Sequence, residues 1–207
     1  MKKFSEEVQQ GFIWLPELGM GRFPVSHNHR PYDESYFSKY QEMADTALGR
    51  TLTSARINLV ARHYAGSLLD VGIGAGQFVE TRPHTFGFDV NPSGIKWLKQ
   101  KGVWAPLYDS RFKALSFWDS LEHIDRPDLA VARAEQWIFV SVPIFDNGDH
   151  VLSSKHFRKT EHIWYWTHNG LVNWFAEQGF KLTEHNTMES DLGREGIGSY
   201  AFERINS

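Results

Sequence analysis

Residues 68–80 read LLDVGIGAGQFVE. The apolar run Ser67–Val71 is short enough to be a buried strand, and it carries an acid, Asp70, near its end. Three alternating glycines follow, Gly72, Gly74 and Gly76, and then a segment that can open a helix. Glycine is needed where a backbone turns sharply and where a ligand approaches it closely. Strand, glycine loop and short helix together make a nucleotide-binding crossover. The spacing narrows the ligand. A dinucleotide fingerprint needs G-x-G-x-x-G, whereas Gln77 stands here in the third glycine's place. A pyrophosphate also gains from a bare helix N-terminus. A carboxylate such as Asp70 would rather meet a cation or a hydroxyl.

Outward from the loop, strand and helix patterns alternate. Thr85–Val90 reads as a strand, and Asn91 then caps a helix with Pro92 at its first position and Gly102 at its end. Val103–Leu107 and Lys113–Trp118 read as two more strands, Pro127–Glu135 as a short helix, and Trp137–Pro143 as a strongly apolar strand. Thr167 caps a helix that Gly179 stops, and Phe180–Asn186 with Ser199–Arg204 form a final antiparallel pair. Such alternation predicts a parallel sheet covered on both faces. Before the loop, Tyr36, Phe37, Tyr40, Met43, Ala44, Ala47 and Leu48 recur at helical spacing. Pro31 precedes this helix, Asp33 caps it and Gly49 ends it. A second helix is expected from Thr51 or Thr53 to Ala65, closed by Gly66. Residues 1–31 show no period and read as an extension packed on the body. The expected division is therefore 1–66, an N-terminal extension and cap helices, and 67–207, the core.

The 207 residues suit one domain with a buried core. The net charge of −3 offers no basic face for an extended nucleic-acid duplex, so a small or short substrate is favoured. The absence of cysteine excludes disulfides, zinc–thiolate sites, iron–sulfur clusters and thiol nucleophiles. No apolar run reaches the length of a membrane span, and the N-terminus lacks the apolar stretch of a signal peptide. The expected location is cytoplasmic.

The acid-and-glycine pattern D-x-G-x-G-x-G at Asp70–Gly76 resembles motif I of the class I S-adenosylmethionine-dependent methyltransferases. Four further segments resemble that superfamily in order: FGFDV ending at Val90, ALSFWDSLEHIDRP (residues 114–127), WIFVSVPIF, and the stretch HFRKTEHIWYWTHNGLVNWFAEQGFKL. The resemblance covers roughly residues 67–186. It implies a Rossmann-like α/β fold: a seven-stranded, mostly parallel sheet with an antiparallel last strand and an N-terminal helical cap. It implies S-adenosylmethionine as cofactor and methyl transfer as the reaction. Asp70, Gly72, Gly74 and Gly76 would shape the methionine and ribose end. Asp89 would accept the ribose hydroxyls, with Phe78 and Val90 beside the cofactor. Asp109 would meet the adenine amine. Trp118 and Asp119 would border the sulfonium.

Asp119, Glu122 and His123 follow the carboxyl end of a strand, where ligands of open α/β sheets sit. His123 titrates near neutrality and can take a proton from an acceptor, with Glu122 beside it. The pattern Asp119-x-x-Glu122-His123 also resembles the Glu-x-x-Glu-His metal site of ubiquinone-biosynthesis O-methyltransferases and of small-RNA 3′-end 2′-O-methyltransferases, with Asp in place of the first Glu. That implies a divalent ion that lowers the pKa of an acceptor hydroxyl. His162, in a second Glu-His pair, is the candidate further ligand. The alternative is that Glu122 and His123 only pack and hydrogen-bond. His150, His156, His162 and His168 recur every six residues, a regularity read as accident.

WDSLEH stands where amino-directed DNA methyltransferases carry an Asp/Asn-Pro-Pro-aromatic tetrad, and the cytosine-C5 enzymes need a Pro-Cys nucleophile that this chain lacks. The acceptor expected is a small molecule, methylated on oxygen rather than nitrogen. The aromatics Trp164, Tyr165, Trp166 and Trp174 are candidates for its pocket or for core. The rival readings are a dinucleotide oxidoreductase, a non-catalytic methyltransferase-like binding module, and an enzyme acting on a nucleoside or nucleic-acid end.

Overall fold

The computed structural model describes residues 11–24 and 33–205. Its central sheet is built on β3 (Leu68–Val71), buried along its whole length. β3 pairs in parallel with β4 (Thr85–Phe88) on one side and β5 (Phe112–Trp118) on the other. β6 (Ala134–Pro143) continues the parallel set, and β9 (Ile197–Arg204) runs antiparallel to both β6 and β8 (Phe180–Asn186). The order is β4-β3-β5-β6-β9-β8. The antiparallel last strand agrees with expectation, and the strand count does not: six strands form the sheet, not seven. Of Val103–Leu107, Trp104 alone makes a bridge, to Gly87. Gly87 donates to Val103 and accepts from Ala105, and then Pro106 arrives with no N–H to extend the ladder. Leu107 instead turns fully into the core.

Alternation along the strands sorts the core into two faces. Leu69, Val71, Leu115, Phe117, Ile138 and Val140 join one cluster with Trp166, Phe175 and Tyr200. Leu68, Ala114, Trp118 and Phe139 join the other, with Leu59, Val60 and Phe78. The first face is covered by α5 (Pro127–Val131) and α7 (His168–Glu177). On the other lie α2 (Ala47–Ala61) and α3 (Gln77–Thr81). α4 (Pro92–Lys101) packs beside the loop through Leu98.

Side-chain caps set three helix starts where the sequence put them. Asp33 accepts from the Tyr36 N–H to start α1 (Glu34–Ala44). Asn91 and Thr167 do the same for α4 and α7. Pro31, expected before α1, lies outside the described residues. The break between α1 and α2 falls earlier than expected. Thr46 accepts from the Gly49 N–H, so Gly49 lies in the first turn of α2 instead of ending α1. A helix start leaves its first N–H groups unpaired, and a threonine side chain satisfies one of them.

A second sheet was not foreseen. β1 (Ile13–Leu15), β2 (Met20–Arg22) and β7 (Trp164–Trp166) pair antiparallel. Three-residue strands interrupted by Gly and Pro give no measurable period, so the pairing is invisible before folding. Two short helices, α6 (Gly148–Ser153) and α8 (Met188–Asp191), complete the described chain.

Gly87 is where α4 presses closest on the sheet. A Cβ there would lie 2.5 Å from Leu98 Cδ2 and 2.8 Å from Ile73 Cγ2. Gly87→Ala is therefore expected to cost about 1–3 kcal/mol by overpacking, read as a lower midpoint in urea unfolding. An unchanged midpoint would refute this close contact.

Candidate functional site

The carboxyl ends of β3, β4 and β5 lie side by side, with Asp70 opposite Gly87 on one strand and Ser116 on the other. The loop after β3 is made of left-handed glycines, with φ +78° at Gly72, +53° at Gly74 and +77° at Gly76. Gly72 and Gly76 are required by close approach. A Cβ at Gly72 would meet Ser120 Cβ at 2.6 Å, and one at Gly76 would meet the Trp97 ring at 2.7 Å. Beside Gly74 the nearest atom is Tyr40 Cδ1, at 3.7 Å. At Gly74 a Cβ would meet only the Tyr40 ring of α1 at ordinary contact distance, so the tight approaches of the loop are confined to Gly72 and Gly76.

Gln77 closes the loop on the cap helices. Its side-chain amide donates to the Ala44 carbonyl at 2.8 Å and accepts from the Thr53 hydroxyl at 2.5 Å. The residue that replaces the dinucleotide glycine is thus the tie between α3 and both cap helices.

Asp70 is buried and accepts from the Ser116 hydroxyl at 2.6 Å. Burial pushes its carboxyl up to about 7, with Ser116 and Arg56 opposing. Asp89 follows β4 and accepts from the Asn91 N–H at 2.7 Å. Burial raises its pKa, while the N–H groups of Asn91, Val90 and Ile73 oppose the shift. Val90 stands beside it, 67% exposed. Phe78, expected beside a cofactor, is instead core, edge-on to Trp118 at 5.3 Å. Asp109 is exposed in the loop entering β5.

Trp118 ends β5 with its ring buried under the Arg56 guanidinium, 5.3 Å from the ring centre. Asp119 then takes φ +54°, unusual for a residue with a side chain. Two arginines grip it: Arg56 at 3.1 Å and Arg194 at 2.6 Å. Burial alone would raise the Asp119 carboxyl; Arg194 and Arg56 outweigh it and hold the pKa below its ordinary value. Glu189 on α8 pairs with both arginines. Arg56, Glu189 and Arg194 carried no signal in the sequence, because Arg56 and Glu189 are 133 positions apart.

The sharp turn at Asp119 sends the next residues elsewhere. The Ser120 hydroxyl donates to the Val71 carbonyl at 2.5 Å, and a single 3-10 turn, Leu121–His123, follows. Glu122 Oε1 lies 4.0 Å from Nε2 of His123 and 4.0 Å from Nε2 of His162. The two imidazoles meet edge to face at 4.7 Å. The three residues offer ligand atoms all within 4.8 Å of one another. Asp119, expected as a further metal ligand, is not among them, because its carboxylate is spent on the two arginines. Both oxygens of Glu122 and Nδ1 of His162 are buried without a hydrogen-bond partner. Burial, with Asp119's charge added, pushes Glu122 well above its ordinary value. Burial lowers His123 and takes His162 well down.

The other regularly spaced histidines turn elsewhere. His150 pairs with Asp146, His156 bonds the Glu195 carbonyl, and His168 bonds the Tyr200 hydroxyl. Trp166 and Tyr165 are fully buried, which places them in the core.

The raised pKa of Asp70 fixes a pH dependence. A carboxyl whose pKa is higher folded than unfolded stabilises the fold only while protonated. Its contribution is full below the ordinary value of 3.8 and is lost as pH rises through about 7. Glu122 acts in the same direction. Asp70→Asn is expected to lose less stability than the parent between about pH 5 and about pH 7, in urea midpoints taken at each pH. Parallel curves for the two proteins would refute the shift.

Comparison with known proteins gives a family. The profile described as "Methyltransferase domain" matches residues 34–185. No curated protein matches the chain. Among solved structures, a chain of the complex between the Haloferax volcanii Trm112 methyltransferase activator and a methyltransferase is similar. Its TM-score is 0.62 at 13% identity, over 84% of this chain and 96% of that one. The Burkholderia thailandensis 1,6-didemethyltoxoflavin-N1-methyltransferase, with its acceptor and S-adenosylhomocysteine bound, gives 0.57 at 14%, over 90% and 96%. Magnesium protoporphyrin IX methyltransferase of Synechocystis gives 0.58 at 10%, over 85% and 96%. At such identities these likenesses speak for the fold, while the matched profile spans most of the sequence: the chain belongs to the methyltransferase domain family.

Proposed function

We propose that this protein transfers the methyl group of S-adenosylmethionine to an oxygen of a small acceptor molecule. The observation that carries the reading is the left-handed glycine loop, set between Asp70 and Asp89, with room beside Gly74 up to the Tyr40 ring. When bound, the cofactor supplies an electrophilic methyl group on a sulfonium sulfur. Bare backbone at Gly74 fits close approach by its methionine end. The Asp89 carboxylate accepts hydrogen bonds from the ribose hydroxyls. Exposed Val90 offers an apolar face beside the base. Two neighbours of the same fold hold S-adenosylhomocysteine. His123 and Glu122 follow the end of β5, on the acceptor side in this reading. Burial favours the neutral imidazole of His123, the form that can take a proton from an acceptor hydroxyl.

Titration calorimetry with S-adenosylmethionine and with S-adenosylhomocysteine, with NAD as control, tests the cofactor assignment. Micromolar binding of the first two and none of NAD is expected. Asp89→Ala is expected to weaken both by about tenfold or more, the loss of a charged hydrogen-bond pair. A protein that binds neither compound would refute the reading.

A second reading adds a divalent ion at Glu122, His123 and His162. It is favoured by three buried polar atoms with no partner, two on Glu122 and one on His162. Two imidazoles and one carboxylate suit zinc or ferrous iron and leave positions open for an acceptor oxygen. The ion would lower the pKa of that oxygen. Without it, burial and the charge of Asp119 favour the protonated form of Glu122, and burial favours the neutral form of His162, so loading is expected to release protons increasingly as pH falls. Cobalt(II) titration should give visible absorption bands in the parent protein and none in Glu122→Gln. Identical spectra would exclude the site.

A further inference from the structure

Four charged side chains meet at the carboxyl end of β5: Arg56 from α2, Asp119, Glu189 from α8, and Arg194. Arg56 Nε donates to Glu189 at 2.7 Å and its Nη2 to Asp119 at 3.1 Å. Arg194 donates to both oxygens of Asp119, at 2.6 and 3.0 Å, and also to Glu189. Two acids and two arginines sum to zero charge. The Glu189 side chain is fully buried, and those of Arg56, Asp119 and Arg194 are 17%, 27% and 29% exposed. Charges this far from water act over several ångströms.

The second arginine, Arg194, sits on a tip between Gly193 and Gly196, at φ +94° and +86°. From there it reaches the carboxylate of Asp119, the residue directly after Trp118. By the resemblance to class I methyltransferases, Asp119 would border the sulfonium of the proposed cofactor. A net negative wall would bind the cationic reactant more tightly than the transition state, in which that charge is dispersing, and would slow the reaction.

We infer that Arg194, together with Arg56, sets the charge of this wall to zero, so that cationic S-adenosylmethionine and its neutral product are held with similar affinity. Arg194 is a positioning and charge-setting residue and touches neither reacting atom. The inference rests on the cofactor assignment above.

The ratio of the two dissociation constants, measured by calorimetry, tests it. Arg194→Gln leaves one uncompensated negative charge. It should tighten S-adenosylmethionine relative to S-adenosylhomocysteine by about threefold or more at low salt, and by less at high salt. Asp119→Asn leaves one positive charge and should move the ratio the other way. Arg194→Lys keeps the charge and should keep the parent ratio, which guards against misfolding of the glutamine variant. If both ligands weaken together in every variant, or if the ratio stays within about twofold of the parent, the charge-setting role is refuted while the cofactor assignment stands. If the parent protein binds neither ligand, the cofactor assignment falls and this inference falls with it.

Discussion

Where β3 and β5 end, their chains come so close that a Cβ on Gly72 would lie 2.6 Å from Cβ of Ser120. The Ser120 hydroxyl closes the gap by donating to the Val71 carbonyl. This junction ties the glycine loop to the WDSLEH segment and determines what each can face. On one side, the loop runs through Gly74 toward Tyr40 and Asp89. On the other, the chain reverses at Asp119 and delivers Glu122 and His123 to His162. Any side chain at position 72 would separate the two halves of the site.

The cap packs on the body through Leu59 and Val60 of α2 and Phe37 of α1, and polar contacts fix it to this junction. Gln77 holds α1 by the Ala44 carbonyl and α2 by the Thr53 hydroxyl, immediately after the last glycine. Arg56 then links α2 to Asp119 and to Glu189. The ligand loop, the cap and the β8–β9 connection are thus linked by these hydrogen bonds as well as by apolar packing. A partly buried network of this kind is worth more for geometry than for net stability, since desolvation offsets much of its Coulomb gain.

Two neighbouring groups reach low net charge by opposite routes. Around Asp119, opposite charges cancel and every carboxylate oxygen has a donor. Around Glu122, burial and the charge of Asp119 shift the carboxyl up, and burial with the neighbouring His123 and Arg158 shifts the His162 imidazole down. The first group is complete as it stands. The second leaves buried polar atoms unpaired, which costs stability unless a function uses them. That contrast separates a wall of the site from a place where chemistry or a ligand belongs.

Local chemistry by itself determined much of this protein. Alternating glycines behind Asp70, capping residues at Asp33, Asn91 and Thr167, and the apolar strands are all short-range patterns, and each forms where its residues demand. They were enough to read an α/β sheet, its ligand-binding edge, and the glycine loop. Tertiary structure decided what depends on distant partners. Trp104 makes only a bridge because Pro106 cannot extend the ladder and Leu107 finds the core. β1 and β2 exist as strands because β7 is there to pair with β2, which in turn pairs with β1. Asp119 left the expected metal ligands because Arg56 and Arg194 reach it from opposite ends of the chain. A carboxylate follows the nearest cation, and which cation is nearest is a property of the folded chain alone.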